Sequence, residues 1–131
     1  MDTIFSIEKI VTSSDIDDLN HVNNVVYLKW MEEVATKHWQ FLTKDEPKPE
    51  YVWVVLRHEI DYLQQAVLND KILIKTKVGE SKGFKSERFI EFYKNDVLIA
   101  KSKTIWGMLD AKTYKPMRIR ENVLKILQGN N

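Results

Sequence analysis

The chain has 131 residues, a mass of 15.5 kDa and nearly balanced charges, with 20 Lys and Arg against 19 Asp and Glu. This length predicts a single domain over residues 1–131, and a formal charge of +1 argues against a nucleic-acid binder or a protein that docks on an anionic membrane. Cysteine is absent, which excludes disulfides, thiolate metal sites and a cysteine nucleophile.

The N-terminal residues Met1, Asp2 and Thr3 do not resemble the start of a signal peptide, because they are neither basic nor followed by a long apolar run. The longest apolar stretch, residues 51–56, is too short to span a bilayer. We therefore expect a soluble, cytoplasmic protein without a membrane partner.

The first predicted element is a strand over residues 5–12, where apolar residues alternate loosely in a β-favouring composition. A long helix is predicted over residues 24–44, because polar residues recur there at helical spacing and the remaining positions are nearly all apolar. Asn23 or Asn24 is expected to cap it, since an Asn side chain accepts a hydrogen bond from a first-turn amide.

After residue 50 the hydrophobic period changes from that of a helix to that of a strand. Strands are predicted over residues 52–62, 71–78, 84–94 and 97–110, with one continuous apolar face on the first of them. The turns between the last three strands are predicted at Ser81-Lys82-Gly83 and Asn95-Asp96. A short helix is expected over residues 120–127. The apolar face of the first of these strands, residues 52–62, is assigned to the alternate residues Val52, Val54, Leu56, Ile60 and Tyr62.

This order of elements predicts an α+β fold, with one long central helix wrapped by a curved antiparallel sheet of about five strands. The helix has apolar residues around more than half of its circumference, which is more than one sheet can cover. We therefore expect two or more copies of the chain to associate.

The loop before the long helix concentrates acids, amides and an imidazole in residues 15–24. Free backbone amides and the positive dipole end of the helix can stabilise an oxyanion there, while an upstream carboxylate attacks a bound acyl carbonyl or activates water. Asp and Asn before a helix are also common as caps and turn formers, and Asp15 is interpreted in that way.

The loop and the first turns of the helix contain the pattern Asp15-x-Asp17-x3-His21-Val22-Asn23-Asn24-x2-Tyr27-x2-Trp30-x2-Glu33. This pattern resembles the signature of the hotdog-fold thioesterases of the 4-hydroxybenzoyl-CoA thioesterase type, and also the equivalent loop of acyl-carrier-protein thioesterases. The similarity continues weakly over most of the chain. It implies a hotdog fold, a helix wrapped by a sheet, with active sites at a dimer interface.

The resemblance places the family's catalytic carboxylate at Asp17 and its carbonyl-polarising amide near Asn24. His21 matches the histidine of the acyl-carrier-protein branch and is expected to support the loop, whereas Leu19 occupies the position of that branch's catalytic Asn. Asn23 and Tyr27 are candidate substrate-binding residues. Whether Asp17 acts as nucleophile or as general base stays open.

Three basic residues near Gly83, Lys82, Lys85 and Arg88, are candidates for binding the phosphates of coenzyme A, with ordinary surface charge as the alternative. Arg57, Glu59 and Asp61 share one strand face and are interpreted as a solvated or subunit-contacting charge ladder. A set of aromatic residues is assigned to the core or to an acyl pocket, and it comprises Tyr27, Trp30, Trp39, Trp53 and Phe92.

The three histidines, His21, His38 and His58, form no metal-binding motif, and His38 and His58 are expected to be buried or interfacial. No metal or cofactor is expected, and no Gly-x-Ser-x-Gly elbow indicates a serine triad. The resemblance therefore implies an acyl-CoA thioesterase, and together with the apolar circumference of the long helix it predicts a homodimer or homotetramer. An acyl-ACP thioesterase, a hotdog dehydratase and a non-catalytic acyl-thioester binder are the alternatives.

Overall fold

Five strands and two α-helices form the part of the chain that the computed structural model describes, residues 4–129. In chain order they are β1 (Phe5–Ile10), α1 (Asn24–Leu42), β2 (Tyr51–Tyr62), β3 (Lys71–Lys82), β4 (Lys85–Lys94), β5 (Val97–Asp110) and α2 (Glu121–Leu127).

All five strands belong to one antiparallel sheet with the order β1-β3-β4-β5-β2. The three central strands follow each other as consecutive hairpins, while β1 and β2 form the two edges. The long helix α1 packs against one face of this sheet. The α+β class and the hotdog arrangement expected from the sequence are thus confirmed.

The main hydrophobic core lies between α1 and the central strands. Tyr27, Trp30 and Val34 of the helix pack there with Ile74 of β3 and Phe92 of β4. This is the amphipathic pattern that predicted α1, and it explains why the helix lies against the sheet.

The helix begins where the cap was expected. Asn23 is the N-cap, and its side-chain oxygen accepts a hydrogen bond from the Val25 N–H at 3.0 Å. At the other end, α1 ends at Leu42 rather than at residue 44, because the backbone of Thr43, with φ −108° and ψ 10°, leaves the helical conformation. The Thr43 N–H and hydroxyl both donate to the Trp39 carbonyl and cap the last turn.

The turns explain where the central strands reverse. Asn95 and Asp96 both have positive φ, at 49° and 65°, which suits the tight hairpin that joins β4 to β5. β3 continues to Lys82, so its reversal falls at Gly83, whose φ is 64°, and Phe84, slightly later than predicted.

The continuous apolar face predicted for β2 is wrong, because the strand contains a bulge between Val55 and Arg57. Trp53 lies opposite the buried Met108, and His58 lies opposite the buried Thr104. Before the bulge the odd-numbered residues, such as Trp53, therefore face the helix, whereas after it the even-numbered residues, such as His58, do so. The predicted apolar face, which consists of even-numbered residues, is correct only after the bulge.

Candidate active site

The loop between β1 and α1 is a narrow hairpin held by backbone hydrogen bonds. Ile16 and Val22 form an isolated β-bridge, and the Asp17 N–H donates to the His21 carbonyl at 2.9 Å. Asn20 adopts a φ of 64° at the turn, with its N–H donating to the Asp17 carbonyl. Asp17 and His21 therefore face each other across the neck of this loop.

The Asp17 carboxylate is half-buried and held on one side only. Its Oδ1 accepts hydrogen bonds from the Leu19 N–H at 2.9 Å and from the His21 N–H at 3.3 Å. Within residues 4–129 no group donates a hydrogen bond to Oδ2. One oxygen thus fixes the side chain, and the other keeps its lone pairs for chemistry.

The N-terminus of α1 leaves one amide free a few residues further on. The Asn23 side chain caps the Val25 N–H, and the Asn23 carbonyl accepts from the Val26 N–H. Among the described residues, none accepts a hydrogen bond from the N–H of Asn24, the first residue of the helix. This N–H points along the helix dipole and can polarise a carbonyl oxygen.

Asp15 has the structural position that the sequence indicated. Its Oδ2 accepts hydrogen bonds from the N–H and the hydroxyl of Thr12, at 2.9 Å and 3.0 Å. Its carbonyl accepts from the Asn23 N–H at 2.9 Å, which ties the start of the loop to the helix cap. Asp15 thus anchors the start of the loop, whereas the Asp17 carboxylate is bonded within the hairpin itself.

Tyr27 lies in the core of this chain. Its ring contacts those of Trp30, Tyr62 and Phe92 edge-on, and only 3% of the residue is exposed. Burial, with the nearby Tyr62 and Asp70 adding to it, raises the pKa of Tyr27 to about 12, so the hydroxyl stays protonated.

The three basic residues near Gly83 do not share a surface. Lys82 and Lys85 are exposed and lie directly opposite each other where β3 meets β4. Arg88 is only 5% exposed, because alternate residues of β4 face the helix and Arg88 belongs to that set. The placement of Arg88 on the surface turn is therefore wrong.

Sequence reasoning missed the polar contacts that Arg88 makes in the interior. Its Nη1 donates to Nδ1 of His38 and to Oγ1 of Thr76, both at 2.9 Å. The sequence contains the signal, since Arg88 occurs between Ser86 and Ile90 on the buried phase of β4, but its closeness to the Gly83 turn favoured the phosphate site instead.

His38 is buried as expected, whereas His58 is partly buried, with Nδ1 2.8 Å from the Thr104 hydroxyl. Arg57, Glu59 and Asp61 are exposed on one face of β2, and Arg57 pairs with Glu59 at 2.7 Å.

In residues 4–129 no group of three or more His, Cys, Asp or Glu side chains is arranged to hold a metal ion. No helix of the same residues is long and apolar enough to cross a membrane.

The model of one protein family, described as the thioesterase-like superfamily, matches residues 11–127 of the chain. The match includes the Asp17 loop, α1 and all strands from β2 to β5. No curated protein matches the sequence.

Solved structures show the same fold at low sequence identity. A predicted thioesterase from Bacillus stearothermophilus is 20% identical, with a TM-score of 0.86 over 98% of this chain and 96% of that one. A hypothetical protein from Staphylococcus aureus, solved in complex with CoA, is 17% identical, with a TM-score of 0.87 over 99% and 85%. A 1,4-dihydroxy-2-naphthoyl-CoA thioesterase from Synechocystis is 15% identical, with a TM-score of 0.80 over 95% and 96%.

Proposed function

The chain belongs to the thioesterase-like superfamily, which makes it a thioester hydrolase, and we propose that it cleaves acyl-CoA to a free acid and CoA with Asp17 as the reacting carboxylate. The observation that carries this proposal is a carboxylate with one open oxygen in the hairpin just before the free Asn24 N–H. Two backbone amides hold Oδ1 of Asp17, and Oδ2 accepts no hydrogen bond from the described residues. Asp15 also has one oxygen without a donor among the same residues, so the choice of Asp17 over Asp15 rests on the resemblance to the family pattern.

Two routes are compatible with this carboxylate. As a general base, Asp17 takes a proton from water while the water oxygen attacks the thioester carbon. As a nucleophile, its Oδ2 attacks that carbon to form an acyl-aspartyl anhydride, which water then hydrolyses. In both routes the carbon–sulfur bond breaks, and the thiolate leaves and takes up a proton.

The Asn24 N–H is the proposed oxyanion site. In the tetrahedral intermediate the former carbonyl oxygen carries a negative charge, and a preorganised amide at a helix N-terminus stabilises that charge. Asn23 supports the site by holding the neighbouring Val25 N–H, so that the first turn is fixed before substrate binds. His21 is proposed to support the loop, because its backbone N–H is one of the two donors to Asp17.

The proposed carrier is coenzyme A, and its phosphates are proposed to contact Lys82 and Lys85. Two like charges placed directly opposite each other repel, and a bound anion relieves that repulsion. A structural relative solved in complex with CoA supports this carrier. Arg88 is excluded from the proposed phosphate site by its burial.

The proposed assembly is a homodimer or homotetramer in the cytoplasm. β2 is an edge strand, and within residues 4–129 no strand pairs with its outer side. On β2 and directly after it, the apolar side chains of Leu56, Tyr62 and Leu63 are exposed. Pairing with a second copy would cover both the edge and these side chains.

Thiol release from a panel of acyl-CoA thioesters tests the proposal. The wild-type protein is expected to release CoA, whereas Asp17→Asn is expected to fold normally and lose nearly all turnover, because an amide is neither basic nor nucleophilic. Asp15→Asn is the matched control, and we expect a milder loss from weaker anchoring of the loop.

Wild-type turnover by a folded Asp17→Asn protein would contradict the role of Asp17. Hydrolysis of acyl-ACP but not of acyl-CoA would favour the alternative carrier. Binding of acyl-CoA without any thiol release would favour a non-catalytic acyl-thioester binder.

A further inference from the structure

A cavity of about 340 Å³ lies beside the C-terminal half of α1, against the start of β2 and the adjoining strands. Aromatic side chains form much of its wall, namely Trp39, Tyr51, Trp53 and Trp106. Within the chain it is remote from the Asp17 loop, because Trp39 follows Asn24 by about four helical turns, or roughly 20 Å.

Arg88 also lines this cavity and is the only cation that does so among the described residues. The residue is 5% exposed, and Nη1 makes both of its hydrogen bonds, to His38 and Thr76. Nη2 and Nε have no acceptor within residues 4–129, and no carboxylate of those residues forms an ion pair with the guanidinium.

A buried cation without a counter-ion is unfavourable, because desolvation is not offset by an opposite charge. The same desolvation lowers the pKa of Arg88 to about 10, which leaves the guanidinium charged at neutral pH. Glu87, the neighbouring residue of β4, also lines the cavity, but it forms no ion pair with Arg88, since adjacent residues of a strand point to opposite faces. No carboxylate of residues 4–129 neutralises the guanidinium directly, which leaves it open to an anion from outside the described chain.

We propose that this cavity binds a small organic carboxylate, with the free edge of the Arg88 guanidinium holding the carboxylate and the tryptophan rings enclosing an apolar or aromatic body. A guanidinium presents parallel N–H groups that match the two oxygens of a carboxylate. The cavity volume falls in the range of small-molecule sites, and its aromatic walls suit a ring or a short branched chain.

Two indole groups add unmet donors at the same place. The Nε1–H groups of Trp53 and Trp106 are buried, and no described residue accepts a hydrogen bond from either. Both tryptophans belong to the cavity wall. Two indole donors without an acceptor and one cation without a counter-ion favour an anion over a neutral apolar ligand.

The ligand has two conceivable sources with the same chemistry. It is either a free carboxylic acid or a second carboxylate on the acyl group of a thioester bound across two copies of the chain. The first source is independent of the function proposed above, whereas the second rests on it. The experiment therefore measures binding and turnover separately.

The binding arm uses the indole N–H resonances of ¹⁵N-labelled protein, which report on Trp53 and Trp106 directly once Trp53→Phe and Trp106→Phe spectra assign them. Benzoate, hexanoate and 1-naphthoate are titrated, with benzyl alcohol as the uncharged comparison. We expect at least one carboxylate to shift both resonances with saturation, and benzyl alcohol to bind about tenfold more weakly or not at all.

Arg88→Met and Arg88→Lys are the informative variants. Met removes the charge at similar length and is expected to fold, since replacing a buried ion by an apolar residue is often neutral or stabilising. It should weaken carboxylate binding by about tenfold or more, and Lys should give an intermediate loss because it lacks the planar fork. Asp17→Asn is the control that removes turnover and should bind the carboxylate as the wild type does.

The turnover arm identifies the source by comparing glutaryl-CoA with valeryl-CoA in the wild type and Arg88→Met. A KM that rises only for glutaryl-CoA supports the acyl group as the source. Unchanged KM values together with lost carboxylate binding support a free acid. The proposal is overturned if no carboxylate shifts the two indole resonances, or if Arg88→Met binds carboxylates as tightly as the wild type does.

Discussion

Nη1 of Arg88 lies 2.9 Å from Nδ1 of His38 in the interior of the protein, and this contact determines the protonation state of the histidine. A guanidinium can only donate, so Nδ1 accepts and the neutral ring carries its hydrogen on Nε2. That Nε2–H is buried without an acceptor in the described chain. The ring is further held by stacking on Phe5, with centroids 5.1 Å apart.

The His38 environment predicts loss of stability in acid. Burial, reinforced by the charge of Arg88, lowers the pKa of His38 from 6.5 to about 4. Between these two pH values the unfolded chain binds a proton that the folded chain does not, so the free energy of unfolding falls as the pH falls. The loss from this residue is about 3 kcal/mol on going from pH 7 to pH 4.

Urea unfolding of the wild type and of His38→Gln at several pH values measures this effect. Gln does not titrate, and its side-chain oxygen can still accept from Arg88. We expect the variant to lose distinctly less stability in acid than the wild type. Parallel pH profiles for the two proteins would show that His38 is not the group responsible.

A second prediction concerns the two lysines at the β3–β4 turn. If Lys82 and Lys85 bind the CoA phosphates, the double variant Lys82→Ala, Lys85→Ala should raise KM for acyl-CoA several-fold and leave kcat nearly unchanged, because the contacts are remote from the reacting carbonyl. The effect should weaken with added salt, since both side chains are exposed.

Acyl-pantetheine provides the control substrate for this pair, because it lacks the nucleotide and its phosphates. Its KM should not respond to the double substitution. An equal response of both substrates would mean that the lysines do not bind the nucleotide.

A third prediction concerns the outer face of the sheet. Lys101 of β5 lies directly opposite Asp61 of β2 and Glu91 of β4. Lys101→Glu would place three carboxylates in one row across the sheet, and like charges in that arrangement should destabilise the fold by about 1 kcal/mol. Lys101→Gln is the comparison, because it removes the attraction to the two carboxylates without adding repulsion. We expect it to lower the urea midpoint of unfolding less than Lys101→Glu does. High salt should narrow the difference between the two variants.

A fourth prediction concerns assembly. We expect the wild type to sediment at micromolar concentration as a dimer or a larger oligomer of the 15.5 kDa chain. Leu56→Lys, at the exposed β2 edge, should shift the distribution toward monomer. Tyr114→Lys, at an exposed residue outside the strands, is the control and should not. An active wild-type monomer would contradict the proposed assembly.

The sequence predicted the elements whose signals are local. The N-cap at Asn23 and the Asn95-Asp96 turn follow from side-chain and backbone preferences of a few residues. The bulge after Val55 could not be predicted, because it depends on the register with β5. Arg88 was misplaced for a different reason, since the alternation of β4 assigns it to the buried phase with Ser86 and Ile90, but its charge and its position near the turn favoured the surface.

The candidate site was predictable in its composition but not in its hydrogen bonds. The pattern around Asp17 identified the loop by resemblance, yet two acids separated by one residue look alike in sequence. In the structure each carboxylate uses one oxygen for two hydrogen bonds and leaves the other without a donor in the described chain, but the donors differ: Thr12 for Asp15, and the Leu19 and His21 amides across the hairpin for Asp17. Which oxygen each backbone amide reaches is set by the fold of the hairpin.

The strand order also determines how quickly different parts of the sheet can form. β3, β4 and β5 are joined by short turns, so their pairing requires the closure of small loops only. β1 must find β3 across the whole of α1 and β2, and β2 must find β5 across two other strands. Because closing longer loops costs more entropy, the central meander is expected to fold first and the edges to dock last. The β2 edge proposed to join two copies would then be completed late in folding, so assembly would follow the folding of each chain.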